Sequence, residues 1–254
     1  MDARYVAEYE RLERKHWWWL VRRRILLGLL DALTQARPTS YCPALLDLGC
    51  GAGLNLAAFR QRYDCQGIEP NPLLVERARE NSGVMVQGGS LPYGLPSLDR
   101  QFDFITLLDV IEHIDDDVAT LKTAASLLAP GGRIVINVPA LPWLWSEHDV
   151  VNQHKRRYVA ASLRDVITRA DLEVTLLRYW GALLVPSAWA ERRVAGWHVQ
   201  GAHEQAYEVK VPSAPVNALF YGLVRCEYAL TSWLRPPLGL SLLAVAQVLR
   251  NPVS

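Results

Sequence analysis

Leu45-Leu-Asp-Leu-Gly-Cys-Gly-Ala-Gly53 (LLDLGCGAG) is the stretch from which the fold is read. Its apolar start predicts a strand over Ala44 to Leu48. The glycines at 49, 51 and 53 predict a turn, and Leu54 to Tyr63 a helix. Alternate glycines between strand and helix let a ligand approach the backbone closely, near the positive N-terminal end of the helix. The dinucleotide fingerprint G-x-G-x-x-G is not met: its last position is Leu54 counted from Gly49 and Leu56 counted from Gly51. No G-K-[ST] ending follows, so a phosphate loop is excluded and a pyrophosphate ligand disfavoured. The next short strand, Cys65 to Ile68, runs into Glu69, 16 residues beyond Gly53. A carboxylate there can accept hydrogen bonds from both hydroxyls of a ribose.

Outward from this stretch, helical and strand patterns alternate. A helix is predicted over Pro72 to Asn81, with Pro near its start, where a missing N–H costs nothing. Strands are predicted over Val84 to Val86, Phe102 to Leu108 and Arg133 to Val138, the last after the turn Pro130-Gly131-Gly132. Asp115 and Asp116 are placed to cap a helix over Val118 to Leu128. A helix over Ala161 to Ala170, a strand over Glu173 to Tyr179 and an apolar run over Leu240 to Val248 complete the series. Strands alternating with helices imply an α/β fold with a mostly parallel sheet covered on both faces. Residues 1–36 read as helical before a break at Pro38-Thr39-Ser40, and residues 181–238 form an apolar, proline-punctuated excursion. The expected organisation is an N-terminal helical lid (1–38), a ligand-binding Rossmann-like core (39–180), a helical insertion (181–238) and a last core strand (239–254).

Composition agrees with a packed enzyme-sized domain. The 254 residues are 50% hydrophobic and 21% charged, which excludes global disorder. Lys plus Arg number 27 and Asp plus Glu 26, a net charge of +1 without the basic excess that nucleic-acid binding needs, so no nucleic-acid partner is expected. The four cysteines form no C-x-x-C pair, which points away from zinc or a disulfide framework and toward a reducing cytoplasm. The start MDARYVAEYERLERK is too charged for a secretory signal, and the longest uncharged runs, 211–224 and 236–249, are short of a spanning helix. No metal ligands are expected.

LLDLGCGAG (45–53), GIEP (67–70), FDFITLLDVIEHIDD (102–116) and LAPGGRIVINVP (128–139), taken together, resemble the class I S-adenosylmethionine-dependent methyltransferases. The Glu112-His113 pair is similar to that of the ubiquinone-type O-methyltransferases. The resemblance implies a seven-stranded sheet with an antiparallel last strand, into which Leu240 to Val248 returns beside Glu173 to Tyr179. It also implies S-adenosylmethionine as cofactor. Gly49, Gly51 and Gly53 would pass under its methionine part, with Asp47 near the amino group and Asp109 lining the same end. Glu69 would bind the ribose, with Pro70 and Asn71 beside the adenine. Many members carry an acidic residue after the third strand; here Gln87-Gly-Gly-Ser-Leu-Pro92 has none, and Ser90 or backbone groups would serve instead.

Transfer of a methyl group to oxygen calls for a base near neutral pH, which favours histidine. His113 follows the fourth strand, and His148 and His154 follow the fifth; all three are candidate catalytic residues at the carboxyl ends of strands. Trp143 and Trp145 are expected to wall a substrate pocket. His154-Lys-Arg-Arg-Tyr158 is a compact cationic cluster in a nearly neutral chain. Arg156, Arg157 and Tyr158 are accordingly expected to bind an anionic group on an acceptor with an apolar body, with Asp149 near enough in sequence to neutralise one of the charges. Trp17-Trp18-Trp19 point about 100° apart on a helix, so one buried face cannot hold all three. The preferred account is a lid over the cofactor, with Arg22-Arg23-Arg24 solvated around it.

The aromatic insertion, with Trp189, Trp197, Phe220, Tyr228, Trp233 and the arginines 192, 193, 225 and 235, is expected to cover the acceptor site, form a homodimer face or rest peripherally on a membrane surface. The function expected is methyl transfer to a small-molecule acceptor, on oxygen. The rivals are an N- or C-methyltransferase of the same fold and a non-catalytic S-adenosylmethionine-binding regulator. Asp109-Val-Ile-Glu112 stands where the amino-methylases of DNA and of protein glutamine carry N-P-P-[FY], and an NAD oxidoreductase fails on the glycine spacing.

Overall fold

Leu45, Leu46 and Leu48 are all fully buried, as a strand covered on both faces requires. The computed structural model in which they are seen describes residues 3–35, 41–198, 210–234 and 236–249. The break expected at Pro38–Ser40, Arg235, and the side chains of Arg193, Trp197 and Trp233 lie outside the described residues.

Seven strands form one sheet: β1 (Ala44–Leu48), β2 (Asp64–Glu69), β3 (Met85–Gly88), β4 (Phe102–Leu108), β5 (Leu128–Pro139), β6 (Leu172–Trp180) and β7 (Ser241–Val248). Their order is β3-β2-β1-β4-β5-β7-β6. β1 to β5 pair in parallel, and β7 is antiparallel to both β5 and β6, as expected. The order reverses between β1 and β4, and ligands of such sheets bind at that switch, outside the carboxyl ends of the strands.

Helices cover both faces. Leu46, Leu48, Ile105, Leu107, Ile134 and Ile136 pack with Leu121 of α5 (Asp117–Ser126) and Leu163 and Ile167 of α7 (Ala160–Arg169). On the other face, Leu45, Phe104, Val135, Leu243 and Val245 pack with α2 (Trp17–Thr34), α3 (Leu54–Phe59) and α4 (Pro72–Ser82). This alternation is the period of two of a pleated strand. Asp47 and Thr106 share the α2–α4 face.

The N-terminal segment is two helices and not one. α1 (Ala3–Lys15) ends at His16, which takes extended dihedrals (φ −79°, ψ 131°) and caps α2 by accepting the Trp18 N–H at its Nδ1. α2 belongs to the core, through Val21, Ile25, Leu26, Leu29 and Leu30, while α1 lies against the glycine turn through Tyr9. The helix expected to Tyr63 stops at Phe59, and β5 starts five residues early, at Leu128. Of the two expected caps, Asp116 caps α5 and Asp115 pairs with Lys155. The insertion forms α8 (Val185–His198) and α9 (Ala214–Leu234); α6 is the short helix Glu147–Val151 after β5. Among the described residues no helix is long and apolar enough to cross a membrane.

Candidate cofactor and acceptor site

The glycine turn is tied back to the sheet by the N–H groups of Gly49 and Cys50, which both donate to the Ile68 carbonyl, at 2.8 and 3.1 Å. Gly53 has φ +78°, and a Cβ there would lie 2.7 Å from Cα of Ala78 in α4. Only glycine satisfies both the left-handed dihedral and the close passage of α4. Glu69 is buried at the end of β2, and its carboxylate accepts the Gly51 N–H at 3.0 Å and the Asn71 N–H at 3.1 Å. Burial raises its pKa, and these two hydrogen bonds work against the rise. The Asn71 side chain is occupied in capping α4, through Leu73 and Leu74. Pro70 is exposed beside it. Ser90 is exposed and pairs its backbone with Gly94 in a tight turn.

Asp47 is buried on the neighbouring strand. One oxygen accepts from the Thr106 hydroxyl at 2.5 Å, and the other has no hydrogen-bond partner. Burial pushes its pKa up to about 7. Asp109 follows β4 in the left-handed region, at φ +58°, an unusual conformation for a residue with a side chain. It is held there by backbone and side-chain bonds to Asn137 (2.8 and 2.7 Å) and by an ion pair with Arg22.

Arg22 corrects the expectation of a solvated arginine triplet: it is buried against Asp109, Arg23 bonds Asn55 and the Glu13 carbonyl, and Arg24 alone is exposed. Two more residues of this cluster escaped the sequence reading. The ring of Tyr9, on α1, stands 3.3 Å from where a Cβ on Gly51 would be. Glu13 is buried with one oxygen unpartnered, and burial raises its pKa to about 7. The signal for Arg22 was available: it falls on the helical stripe of Leu26, Leu29 and Leu30, where a solvated charge has no place.

On the far side of Asp109, Glu112 and His113 form a single 3₁₀ turn. Glu112 is fully buried with both carboxylate oxygens unpartnered. The His113 ring meets that of His154 edge-on, with centroids 4.7 Å apart. Burial and the neighbouring His154 lower the His113 pKa. Nδ1 of His154 is 2.9 Å from Asp149, a buried carboxylate that also accepts from Arg157 Nε at 2.7 Å and from the Ser146 N–H at 2.9 Å. Burial alone would raise the pKa of Asp149, but the bonds from His154 and Arg157 hold it well below the usual range. A carboxylate at Nδ1 accepts a hydrogen bond from Nδ1–H, which fixes the tautomer that leaves Nε2 as the acceptor nitrogen. Single donor atoms of Glu112, His113 and His154 lie within 4.8 Å of one another, close enough to share one cation. His148, on α6, sits behind His154 at 6.3 Å between centroids, and burial lowers its pKa to about 4.

The cationic cluster is placed differently from the expectation. Lys155 pairs with Asp115, Arg156 with Asp117 at 2.9 Å, and Arg157 with Asp149 and the Ala140 carbonyl. Each expected anion binder thus bonds a carboxylate of the chain itself. Tyr158 is a core residue whose hydroxyl donates to Asp117 at 2.9 Å. Trp143 and Trp145 flank the buried Leu144 and are themselves 55% and 42% exposed. Of the three consecutive tryptophans, Trp17 stacks on Phe220 and Trp18 on Trp180, while Trp19 meets the edge of His16. The helix is covered on several sides, and these rings pack against protein.

A glycine turn at the switch point, a pinned carboxylate at the end of β2 and a histidine-bearing loop beside them define the class to which the comparisons assign the chain. Residues 11–177 match the model of a methyltransferase domain, and the chain belongs to that family. It is similar to the ubiquinone biosynthesis O-methyltransferase of Aeromonas salmonicida, 27% identical over 153 residues that cover 54% of this chain and 62% of that protein. The enzyme of the same name from Xanthomonas euvesicatoria pv. vesicatoria is 33% identical over 102 residues, 37% of this chain and 41% of that one. The chain thus spans roughly half the length of these relatives. Among solved structures, an S-adenosylmethionine-dependent methyltransferase of Thermotoga maritima superposes with a TM-score of 0.56, at 20% identity, over 96% of both chains. The [4+2]-cyclase SpnF superposes at 0.54, with 18% identity, over 88% of this chain and 82% of its own. The fold is therefore shared by proteins of different chemistry, and the site has to carry the activity.

Proposed function

We propose that this protein transfers the methyl group of S-adenosylmethionine to an oxygen atom of a small molecule. The observation that carries the reading is the Gly51 N–H to Glu69 hydrogen bond, which fixes the ribose-binding carboxylate against the glycine turn. The residues present also fit the other end of the cofactor. Asp47 and Glu13 each have a buried oxygen without a partner, and Arg22 a buried Nε without one. Carboxylate oxygens and a guanidinium N–H are the complement of an amino acid's ammonium and carboxylate groups. Glu69 would hold the ribose, Asp47 and Glu13 the ammonium, and Arg22 the carboxylate. Tyr9, Pro70, Asn71 and the Ser90 turn would border the remainder.

When bound, the cofactor supplies an electrophilic methyl on a sulfonium, so the protein's task is alignment, exclusion of water and removal of the acceptor's proton. His113 is the proton acceptor in this reading. His154, held by Asp149 at Nδ1 and with its ring against that of His113, is the second candidate. The exposed Trp143 and Trp145 would border the acceptor side, with the helix α8, whose Arg192 bonds the Leu144 carbonyl between them. The pairing of Arg156 and Arg157 favours an acceptor recognised by shape and apolar contact over one held by its charge.

One observation favours a second reading of the same loop. Two unpartnered oxygens of a fully buried Glu112, beside His113 and His154, suit a divalent cation that would acidify the acceptor hydroxyl. Conversion of S-adenosylmethionine to S-adenosylhomocysteine with a panel of phenols, before and after chelation and metal addition, tests both. Turnover insensitive to chelation supports His113 as base, and turnover restored only by metal supports the cation. Methylation only of amines would overturn the assignment to oxygen.

A further inference from the structure

A helix interrupted at His16 leaves the Lys15 carbonyl and the Trp17 N–H at the junction of α1 and α2 in need of partners. One side chain supplies both. Oδ1 of Asn217, on α9, accepts the Trp17 N–H at 2.8 Å, and its Nδ2 donates to the Lys15 carbonyl at 2.8 Å. The amide has one donor and one acceptor end, and the junction presents their complement. Phe220, one turn further along α9, stacks on Trp17 with centroids 5.3 Å apart and fixes the helix that carries Asn217.

The junction matters because the two helices that meet there each send a residue to the glycine turn. Tyr9, on α1, covers Gly51, and Arg22, on α2, pairs with Asp109. α2 is rooted in the core. α1 lies outside the two large core clusters: Val6 packs with Ala52 and Leu74 in a small apolar cluster, Arg14 bonds Asn81 at 2.5 Å, and Arg23 of α2 bonds the Glu13 carbonyl at 3.1 Å. The angle of the junction therefore decides whether Tyr9 and Glu13 arrive beside Arg22.

We propose that Asn217 is a positioning residue for the cofactor site, clasping the α1–α2 junction so that Tyr9, Glu13 and Arg22 converge on the glycine turn. The proposal rests on the reading of that turn as the S-adenosylmethionine site. It gives the insertion a role in cofactor binding that acts through α1 and α2.

Hydrogen exchange and calorimetry with S-adenosylhomocysteine, on the full chain, test it. In Asn217→Ala, peptides covering α1 should lose protection while those covering β1 and β4 keep it. S-adenosylhomocysteine should bind about tenfold more weakly. Asn217→Asp keeps the acceptor for Trp17 and loses the donor for Lys15, and should fall between. Equal loss of protection across the sheet would overturn the proposal, since Asn217 would then serve general stability. Unchanged affinity in Asn217→Ala would overturn this role alone, whereas a wild-type protein that binds no S-adenosylhomocysteine would overturn the cofactor reading and this role with it.

Discussion

Glu69 carries two backbone N–H groups on its carboxylate, and this fixed orientation is what recommends it as the proposed ribose ligand. Glu69→Ala should weaken S-adenosylhomocysteine binding by about 1.5–3 kcal/mol, the scale of a hydrogen bond to a charged group. Calorimetry reads this directly, and an unchanged affinity would mean that the ribose is held elsewhere. His113 differs in the parameter it should move. Loss of a general base costs about 10²–10⁴-fold, so His113→Gln should depress turnover with little effect on cofactor affinity. If His113→Gln turns over normally while His154→Gln is inactive, the proton goes to His154. Asp149, the buried partner of His154, was legible only as a charge near a basic cluster. That it holds His154 and Arg157 at once could not be read from spacing, because the chain turns back on itself through α6.

At the scale of elements, the strands were nearly all readable, and β4 ran over the expected residues, because strands buried on both faces show as short apolar runs between turn signals. The division of α1 from α2 was not readable. Neither Pro nor Gly stands near His16, and the break is made by a histidine acting as an N-cap and by an asparagine 201 residues further on. Gly53 shows the opposite case, a demand visible in the sequence whose cause lies in another element. Gly53→Ala would place a Cβ against the backbone of Ala78 at 2.7 Å while holding φ at +78°. It should destabilise the protein by more than the roughly 1 kcal/mol that the left-handed conformation alone costs. Thermal unfolding would check this, and a melting temperature equal to wild type would show that α4 yields without cost.

For the molecule as a whole, the near-zero net charge conceals carboxylates buried around the glycine turn. Glu13 and Asp47 both have folded-state pKa values raised by burial, each to about 7. Arg22 and Arg23 oppose the rise at Glu13, and Arg22 and the Thr106 hydroxyl oppose it at Asp47. A raised carboxyl pKa means that the unfolded chain releases these protons first. Their contribution to stability is fully present below the unfolded pKa values, about 4, and is lost as pH rises through 7. The melting temperature should therefore fall between about pH 4 and 7, and Glu13→Gln should flatten that slope. An unchanged slope in Glu13→Gln would place the titration elsewhere. The basic cluster after β5 is the feature that the whole molecule reinterprets: Lys155, Arg156 and Arg157 are distributed over Asp115, Asp117 and Asp149, and of these three carboxylates only Asp149 is suggested by a linear reading.

The central claim is that the glycine turn and Glu69 hold S-adenosylmethionine and no dinucleotide. Titration of the wild-type protein with S-adenosylhomocysteine and, separately, with NAD, followed by calorimetry, tests it most directly. S-adenosylhomocysteine should bind saturably at one site per chain, with binding lost or weakened in Glu69→Ala and no heat from NAD. Binding of NAD without binding of S-adenosylhomocysteine would contradict it.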